Sequence, residues 1–343
     1  MRIERDSARV LSDAEAAEAV GGLLNDLYAI VCACELAELG VADALGEAPR
    51  SAAELAREVG ADAGALHRVL RLVASIGVFV EAGDGRFGHS AMSRVLRRDH
   101  PNSLRDWLRW RRSPLAVRIL GALSHPLRTG RPAVELFAPE GMFGYLAAHP
   151  EEALVFDQAM RAKSQLEIDA ILSAYDFSRF GSIADIGGGQ GHLLRAVLDA
   201  VPHARGVLFD LPHAIEAARG HAGERVTLQT GSFFEDPLPA CDAYLVKKIL
   251  HDWSDAQAIA ILKSVRRAAP AHATLLLLEA DLPQGPEPHP AKALDIMMLA
   301  WLTGRERTAA EYERLLAAAG FKLQRVIPAH KEVSIFEAVI ASG

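Results

Sequence analysis

Four glycines fall within five positions at Gly187, Gly188, Gly189 and Gly191, directly after the short apolar run "SIADI". A turn so poor in side chains lets a ligand approach the backbone closely. Asp210 follows 23 positions after Gly187, at the end of the run "GVLFD". At the close of the next strand, its carboxylate is suited to accept hydrogen bonds from both hydroxyls of a ribose. Glycines and acid together indicate an adenosine-bearing ligand, and the spacing narrows the choice. A nicotinamide-type turn needs G-x-G-x-x-G, but the third glycine place is His192 when counted from Gly187 and Leu194 from Gly189. A phosphate loop needs Gly-Lys-Ser/Thr, which the chain lacks. Asp185 stands two residues before the first glycine, where an anion orients the turn and balances a cationic ligand. S-adenosylmethionine, with ribose, adenine and a sulfonium but no pyrophosphate, fits this set. The bland alternative is a glycine-rich turn with no ligand, at a cost in exposed backbone.

The elements that must hold this turn are short β-rich runs alternating with helical ones after Tyr175: "SIADI", "GVLFD", "VTLQT", "AYLVKK" and "ATLLLLEA". Such alternation predicts a doubly wound, Rossmann-like parallel sheet with helices on both faces. The last two runs, "FKLQRVIP" and "EVSIFEAVI", are joined too closely for a crossover helix and predict an antiparallel edge. "LPQGPEPHPAK" (282–292) reads as an exposed loop.

Upstream the period is helical. "VGGLLNDLYAIVCACELAELGVADAL" (20–45) is apolar on nearly every face, too much so for a helix lying alone on a surface. Ser51 and Glu54 have capping-box spacing, Gly60 ends that helix, and a second helix is predicted over 63–76. "GVFVEAGDGRFGHS" then reads as a hairpin turning at Gly83-Asp84-Gly85. Helix, turn, helix and hairpin make an N-terminal, mainly helical winged-helix domain over 1–108. Residues 109–343 are expected to hold a helical linker and the sheet domain. The second helix of the wing offers only His67, Arg68 and Arg71, and the chain has a net charge of −7. Phosphate contacts demand denser Lys and Arg, so dimerisation through the greasy first helix is expected in place of nucleic-acid binding.

The composition bounds the rest. Cys32, Cys34 and Cys241 form neither a disulfide framework nor a zinc pattern, so a reducing cytoplasm and no metal are expected. The charged start "MRIERDSARV" is unlike a signal peptide, and no apolar run is expected to reach the roughly 20 residues that span a bilayer. No membrane partner is therefore expected.

Several runs carry a family likeness. Asp185-Ile-Gly-Gly-Gly-Gln-Gly191, Phe209-Asp-Leu-Pro212, Gly231-Ser-Phe-Phe234 and Lys247-Lys-Ile-Leu-His-Asp-Trp253, with Glu279 of "LLLLEADLP" and Glu306 of "TGRERT", resemble the class I S-adenosylmethionine-dependent small-molecule O-methyltransferases. These are the caffeate and flavonoid type, with bacterial relatives that decorate aromatic natural products. With the winged helix, the likeness covers essentially the whole chain. It implies a homodimer and a small aromatic substrate. It also implies that Gly187, Gly189 and Leu211 contact the cofactor, Asp210 binds its ribose, Phe233 packs on adenine, and Lys247 lies near the methionine end. In the position of Ser232 the family usually has Asp, so adenine is expected to be held less firmly.

The likeness further implies that His251 is the general base, flanked by Glu279 and Glu306, with Asp252 steadying a substrate hydroxyl. A phenol's pKa near 10 leaves about one molecule in a thousand ionised at pH 7, a deficit an imidazole titrating near neutrality removes. Phe156, Met160, Met297, Met298 and Trp301 are the expected pocket walls; plain core packing is the alternative for the Phe156/Met160 pair. Methylation of nitrogen or carbon, decarboxylation or hydroxylation on the same fold are the other chemical outcomes. A winged-helix regulator that senses an adenosine ligand is the non-catalytic one.

Overall fold

The computed structural model describes residues 11–341, so the charged N-terminal start lies outside the described residues. These residues cluster into two compact units. One comprises the N-terminal region to Arg118 and Tyr145–Lys163; the other comprises Ile119–Gly144 and the rest from Ser164.

In the first unit, helix Asp13–Leu39 starts at a capping box between Ser12 and Glu15 and stops at Gly40, whose φ of 72° is open to glycine. The greasy run is therefore two helices, with Val41–Leu45 following the glycine. Only the C-terminal half of the long helix is buried, through Cys34, Leu36 and Ala37. Val20, Leu23, Leu24, Leu27, Tyr28, Ile30 and Val31 are each more than half exposed. This helix is long and apolar enough to cross a bilayer, with a mean hydropathy of 1.4 over its most apolar stretch. That corrects the expectation that no run reaches spanning length: Gly21, Gly22 and Asp26 dilute a stretch whose remaining residues are mostly apolar.

The wing forms as expected. Ser51 caps helix Ala52–Val59 through a capping box with Glu54, Gly60 ends it, and Ala63–Ser75 follows. Strand β1 (Arg50–Ser51) adds to the hairpin of β2 (Phe79–Glu81) and β3 (Arg86–His89) in the order β1-β3-β2.

The second unit carries a seven-stranded sheet. Its strands are β4 (Ser182–Ile186), β5 (Arg205–Asp210), β6 (Val226–Thr230), β7 (Ala243–Lys247), β8 (Thr274–Glu279), β9 (Phe321–His330) and β10 (Val333–Ile340). They lie in the order β6-β5-β4-β7-β8-β10-β9. The first five are parallel, and β10 runs antiparallel to both neighbours, as the short final connection requires. β8 is buried at every position because both faces are covered, which is why it reads as unbroken leucine. The chain leaves β4 toward β5 and returns on the other side as β7. Such a switch point opens a crevice at the carboxyl ends of the two strands.

Gly187 sits in that crevice with φ 69°, and a Cβ there would lie 2.5 Å from Ile249 Cδ1. Gly223 has φ 75° with nothing within 4 Å of the same atom. Each Gly→Ala change incurs the left-handed backbone penalty of about 1–2 kcal/mol, and only the first adds overpacking, of about 1–3 kcal/mol. Urea unfolding should therefore show Gly187→Ala less stable than Gly223→Ala by that second amount, and equal midpoints would contradict the close approach of Ile249.

Candidate active site

The carboxyl ends of four adjacent strands deliver the chemistry. β4 leads into Gly187–Gly191, β5 ends at Asp210, β7 at Lys247 and β8 at Glu279. Each expected residue has a definite place, and some play a different part from the one anticipated.

The glycine turn is folded around its own acids. Asp210 accepts hydrogen bonds from the Gly189 N–H and the Leu211 N–H, both at 2.7 Å. Burial raises its pKa, against the pull of those two amides. Asp185 is 1 % exposed and lies beneath the turn, where a Cβ on Gly188 would sit 2.4 Å from its carboxyl carbon. Gly188 is thus glycine because Asp185 fills the space. Burial, then the charge of Asp210, push Asp185 up to about 7, with Lys247 opposing. Asp185 braces the turn from below; the expected balancing anion is a buried group shared between protonation states.

Phe233 is half-buried, with its ring 3.8 Å from the Cβ position of Gly187 and edge-on to Trp253. Ser232 turns back on its own loop, its hydroxyl accepting from the Phe234 N–H at 3.3 Å. Leu211 is exposed. Lys247 is paired: its Nζ lies 2.7 Å from Glu167 Oε2 and donates to Ser164 Oγ at 3.2 Å.

His251 lies in a short 3₁₀ turn, Leu250–Asp252, close behind β7. The ring is buried. Its Nδ1–H donates to Glu306 Oε1 at 2.6 Å, and Glu279 Oε2 is 3.9 Å from the same nitrogen. Glu279 mainly holds the backbone, its Oε1 accepting from the N–H groups of Ile249 (3.0 Å) and Leu250 (2.8 Å). Asp252 Oδ1 faces the other ring nitrogen, Nε2, at 3.4 Å. Burial alone would depress the imidazole, but Glu279, Asp252 and Glu306 override it and raise it to about 9. This corrects the expectation of a base titrating near neutrality: three acids in a dry site hold the proton on. Burial pushes Asp252 up to about 6 and raises Glu279, with His251 opposing in both.

The atoms of His251, Glu279 and Glu306 lie close enough together to attract a metal ion. The 2.6 Å separation of Nδ1 and Oε1, however, is that of a charge-assisted hydrogen bond. Two ligands about 2.0–2.1 Å from a tetrahedral zinc stand roughly 3.3 Å apart. At this separation the pair is joined by a hydrogen bond.

Two residues that fix this geometry were not singled out in the sequence. Arg307 is fully buried and donates to the carbonyls of Leu250 (2.8 Å) and Trp253 (2.7 Å) and to Asp255 (2.9 Å). A Cβ on Gly304 would lie 2.0 Å from the His251 carbonyl oxygen. Both belong to "TGRERT", so the glycine and the second arginine beside Glu306 were the available signal. Lys248 is a further case, a non-glycine residue at φ 53° whose Nζ donates to the Glu332 carbonyl at 2.6 Å.

The expected pocket walls divide between the units. Phe156 packs edge-on to Trp110 at 5.0 Å and Met160 is half-buried, both in the first unit. Met298 and Trp301 are buried in the second, Met297 half-buried, on helix Pro290–Trp301, whose Asp295 accepts from the Glu306 N–H at 2.9 Å.

Known proteins share this arrangement of parts. Residues 122–322 match the O-methyltransferase domain family and residues 23–99 the O-methyltransferase dimerisation domain. The phenazine O-methyltransferase of Lysobacter antibioticus is 42% identical over 88% of this chain and 90% of its own length. The 8-amino-8-demethylriboflavin N,N-dimethyltransferase of Streptomyces davaonensis is 36% identical over 91% and 90%. The solved structure of the mitomycin 7-O-methyltransferase superposes with a TM-score of 0.89 at 33% identity, covering 96% of this chain and 98% of that one. The chain belongs to the O-methyltransferase family of which the bacterial natural-product enzymes are members, and it is an enzyme of that S-adenosylmethionine-dependent class.

Proposed function

We propose that this chain moves the methyl group of S-adenosylmethionine to a hydroxyl of a small aromatic natural-product scaffold, with His251 taking the proton. The observation that carries the reading is the buried His251–Glu306 hydrogen bond, at the same carboxyl end of the sheet as the glycine turn. The relatives acting on phenazines and mitomycins support a fused, planar, hydroxylated acceptor. In this reading residues 1–108 dimerise through the exposed apolar face of helix Asp13–Leu39, and residues 109–343 carry the chemistry. The enzyme works as a cytoplasmic homodimer without a metal, nucleic acid or membrane.

The residues present fit the cofactor. Gly187 and Gly189 keep the crevice floor open, Asp210 is set to meet the ribose, and Phe233 beside Gly187 offers a face for adenine, with Leu211 and Ser232 at the rim. Asp185 holds the floor in place. The cofactor supplies an electrophilic methyl on sulfur. Glu306 holds the imidazole by Nδ1, which leaves Nε2 to take the hydroxyl proton, and Asp252 steadies the acceptor. Glu279 fixes the turn that carries the ring. Met298 and Trp301, buried on helix Pro290–Trp301, exclude water on the side of the sheet domain, so an acceptor anion stays reactive once formed.

Incubation with S-adenosylmethionine and a panel of phenols, hydroxyphenazines and aryl amines should give mass gains of one methyl on oxygen, and products on nitrogen alone would replace this reading with amine methylation. His251→Ala should lower kcat/KM by about 10²–10⁴-fold while leaving S-adenosylhomocysteine affinity in place; an active variant would refute the base assignment.

The pH dependence has a definite sign. An imidazole at about 9 in the free enzyme carries its proton at pH 7 and cannot accept another. kcat/KM should rise with pH along a limb lying well above 6.5, and Glu306→Gln should move that limb to lower pH. A limb near 6.5, unmoved by the substitution, would contradict the electrostatics. Dialysis against a chelator should leave the rate unchanged; loss restored by zinc would instead make the His251–Glu279–Glu306 cluster a metal site.

A further inference from the structure

The pair formed by Lys247 and Glu167 is left incomplete by the protein. Glu167 is 2 % exposed on helix Pro150–Ala174, a position where an ionised carboxylate needs every oxygen satisfied. Its Oε2 meets Lys247 Nζ at 2.7 Å, but its Oε1 is buried with no hydrogen-bond partner among the described residues. Lys247 spends two of its three N–H donors, one on Glu167 Oε2 and one on Ser164 Oγ, and keeps a third.

The pair is also well placed. Lys247 is the last residue of β7, and β7 pairs with β4 in parallel register, Asp185 opposite Leu245. Two further steps set Lys247 level with Gly187, at the mouth of the switch-point crevice. Its charge is felt by Asp185 beneath the turn. A spare acceptor and a spare donor thus stand side by side, close to the glycine turn. Their charges already cancel, so the pair suits a ligand end that is itself neutral overall but doubly charged. An amino acid is such a group: the α-ammonium offers donors and the α-carboxylate offers acceptors.

We propose that Glu167 is a cofactor-specificity residue whose unpaired carboxylate oxygen receives the α-ammonium at the methionine end of S-adenosylmethionine, beside Lys247. This rests on the proposed cofactor and adds a residue that the sequence motifs do not include. The paired lysine alone would favour the carboxylate and leave the ammonium unread. With Glu167 the site reads both charges, and it rejects nucleosides that lack the amine by leaving a buried anion unsatisfied.

The test uses three probes measured by calorimetry on the full chain: S-adenosylhomocysteine, its analogue lacking only the α-amino group, and 5′-methylthioadenosine. The unaltered protein should bind S-adenosylhomocysteine at least about tenfold more tightly than the desamino analogue. Equal affinities would overturn the proposal without any mutation. Glu167→Gln should weaken S-adenosylhomocysteine by about tenfold or more and leave the desamino analogue and 5′-methylthioadenosine within about twofold. A uniform loss across all three probes would make Glu167 a structural partner of Lys247 and overturn the role. Failure of the cofactor reading itself looks different: the unaltered protein then binds none of the three, and Asp210→Ala changes nothing.

Discussion

Three carboxylates share one dry pocket with a histidine, and much of the local chain exists to make that tolerable. Glu279 and Glu306 are fully buried, and each keeps one oxygen without a hydrogen-bond partner among the described residues. Bare anions so close together would repel one another strongly and draw protons in to relieve it. The charge is met by the imidazolium of His251 and by Lys248, whose field opposes the burial that raises both Glu279 and Asp252. Backbone amides of Ile249 and Leu250 absorb the remaining oxygen of Glu279. Removing the histidine would leave uncompensated buried charge, so the site is held at fixed composition as much as at fixed geometry.

That demand explains the unusual backbone around it. β8 brings Glu279 to the end of the sheet, while Glu306 arrives from a separate loop 27 residues later. The loop approaches only because Gly304 presents no side chain to the His251 carbonyl. Arg307 then ties the two segments through the carbonyls of Leu250 and Trp253, satisfying groups that a tight 3₁₀ turn leaves open. Lys248 accepts a left-handed conformation so that its amide reaches the Leu278 carbonyl and its ammonium the Glu332 carbonyl. Strain of this kind persists only where the surroundings over-determine it.

How much of this was readable beforehand depends on range. Local rules were legible: the capping box of Ser51 and Glu54, the stop at Gly60, the hairpin at 83–85 and the alternation of strand and helix all rest on neighbours in sequence. The glycine turn was legible as a ligand-binding shape. The reason for Gly188 was not, because it depends on Asp185 folding under the turn. Contacts across long separations left little trace. His251 meets Glu306 across 55 residues, and only the likeness of whole motifs joined them. Glu167 was missed because it lies on a 25-residue helix with weak apolar periodicity, where one acid among several looks like a solvated face. The imidazole's expected value failed for a related reason: charges that are distant in sequence, close in space and dry do not show in residue types.

In the proposed reaction, the raised value of His251 reflects a balance between two requirements on a base. At about 9, roughly one ring in a hundred is free to accept a proton at pH 7, which costs rate. The same acids make the ring a far stronger acceptor than an ordinary imidazole. Raising the base toward the range of a phenol narrows the gap between them, so the acceptor anion becomes more accessible than with an ordinary imidazole. An aliphatic hydroxyl, many units weaker as an acid, remains out of reach. In that proposal the buried acids select the acceptor chemically, before any pocket wall selects its shape, and they favour aromatic hydroxyls over aliphatic ones.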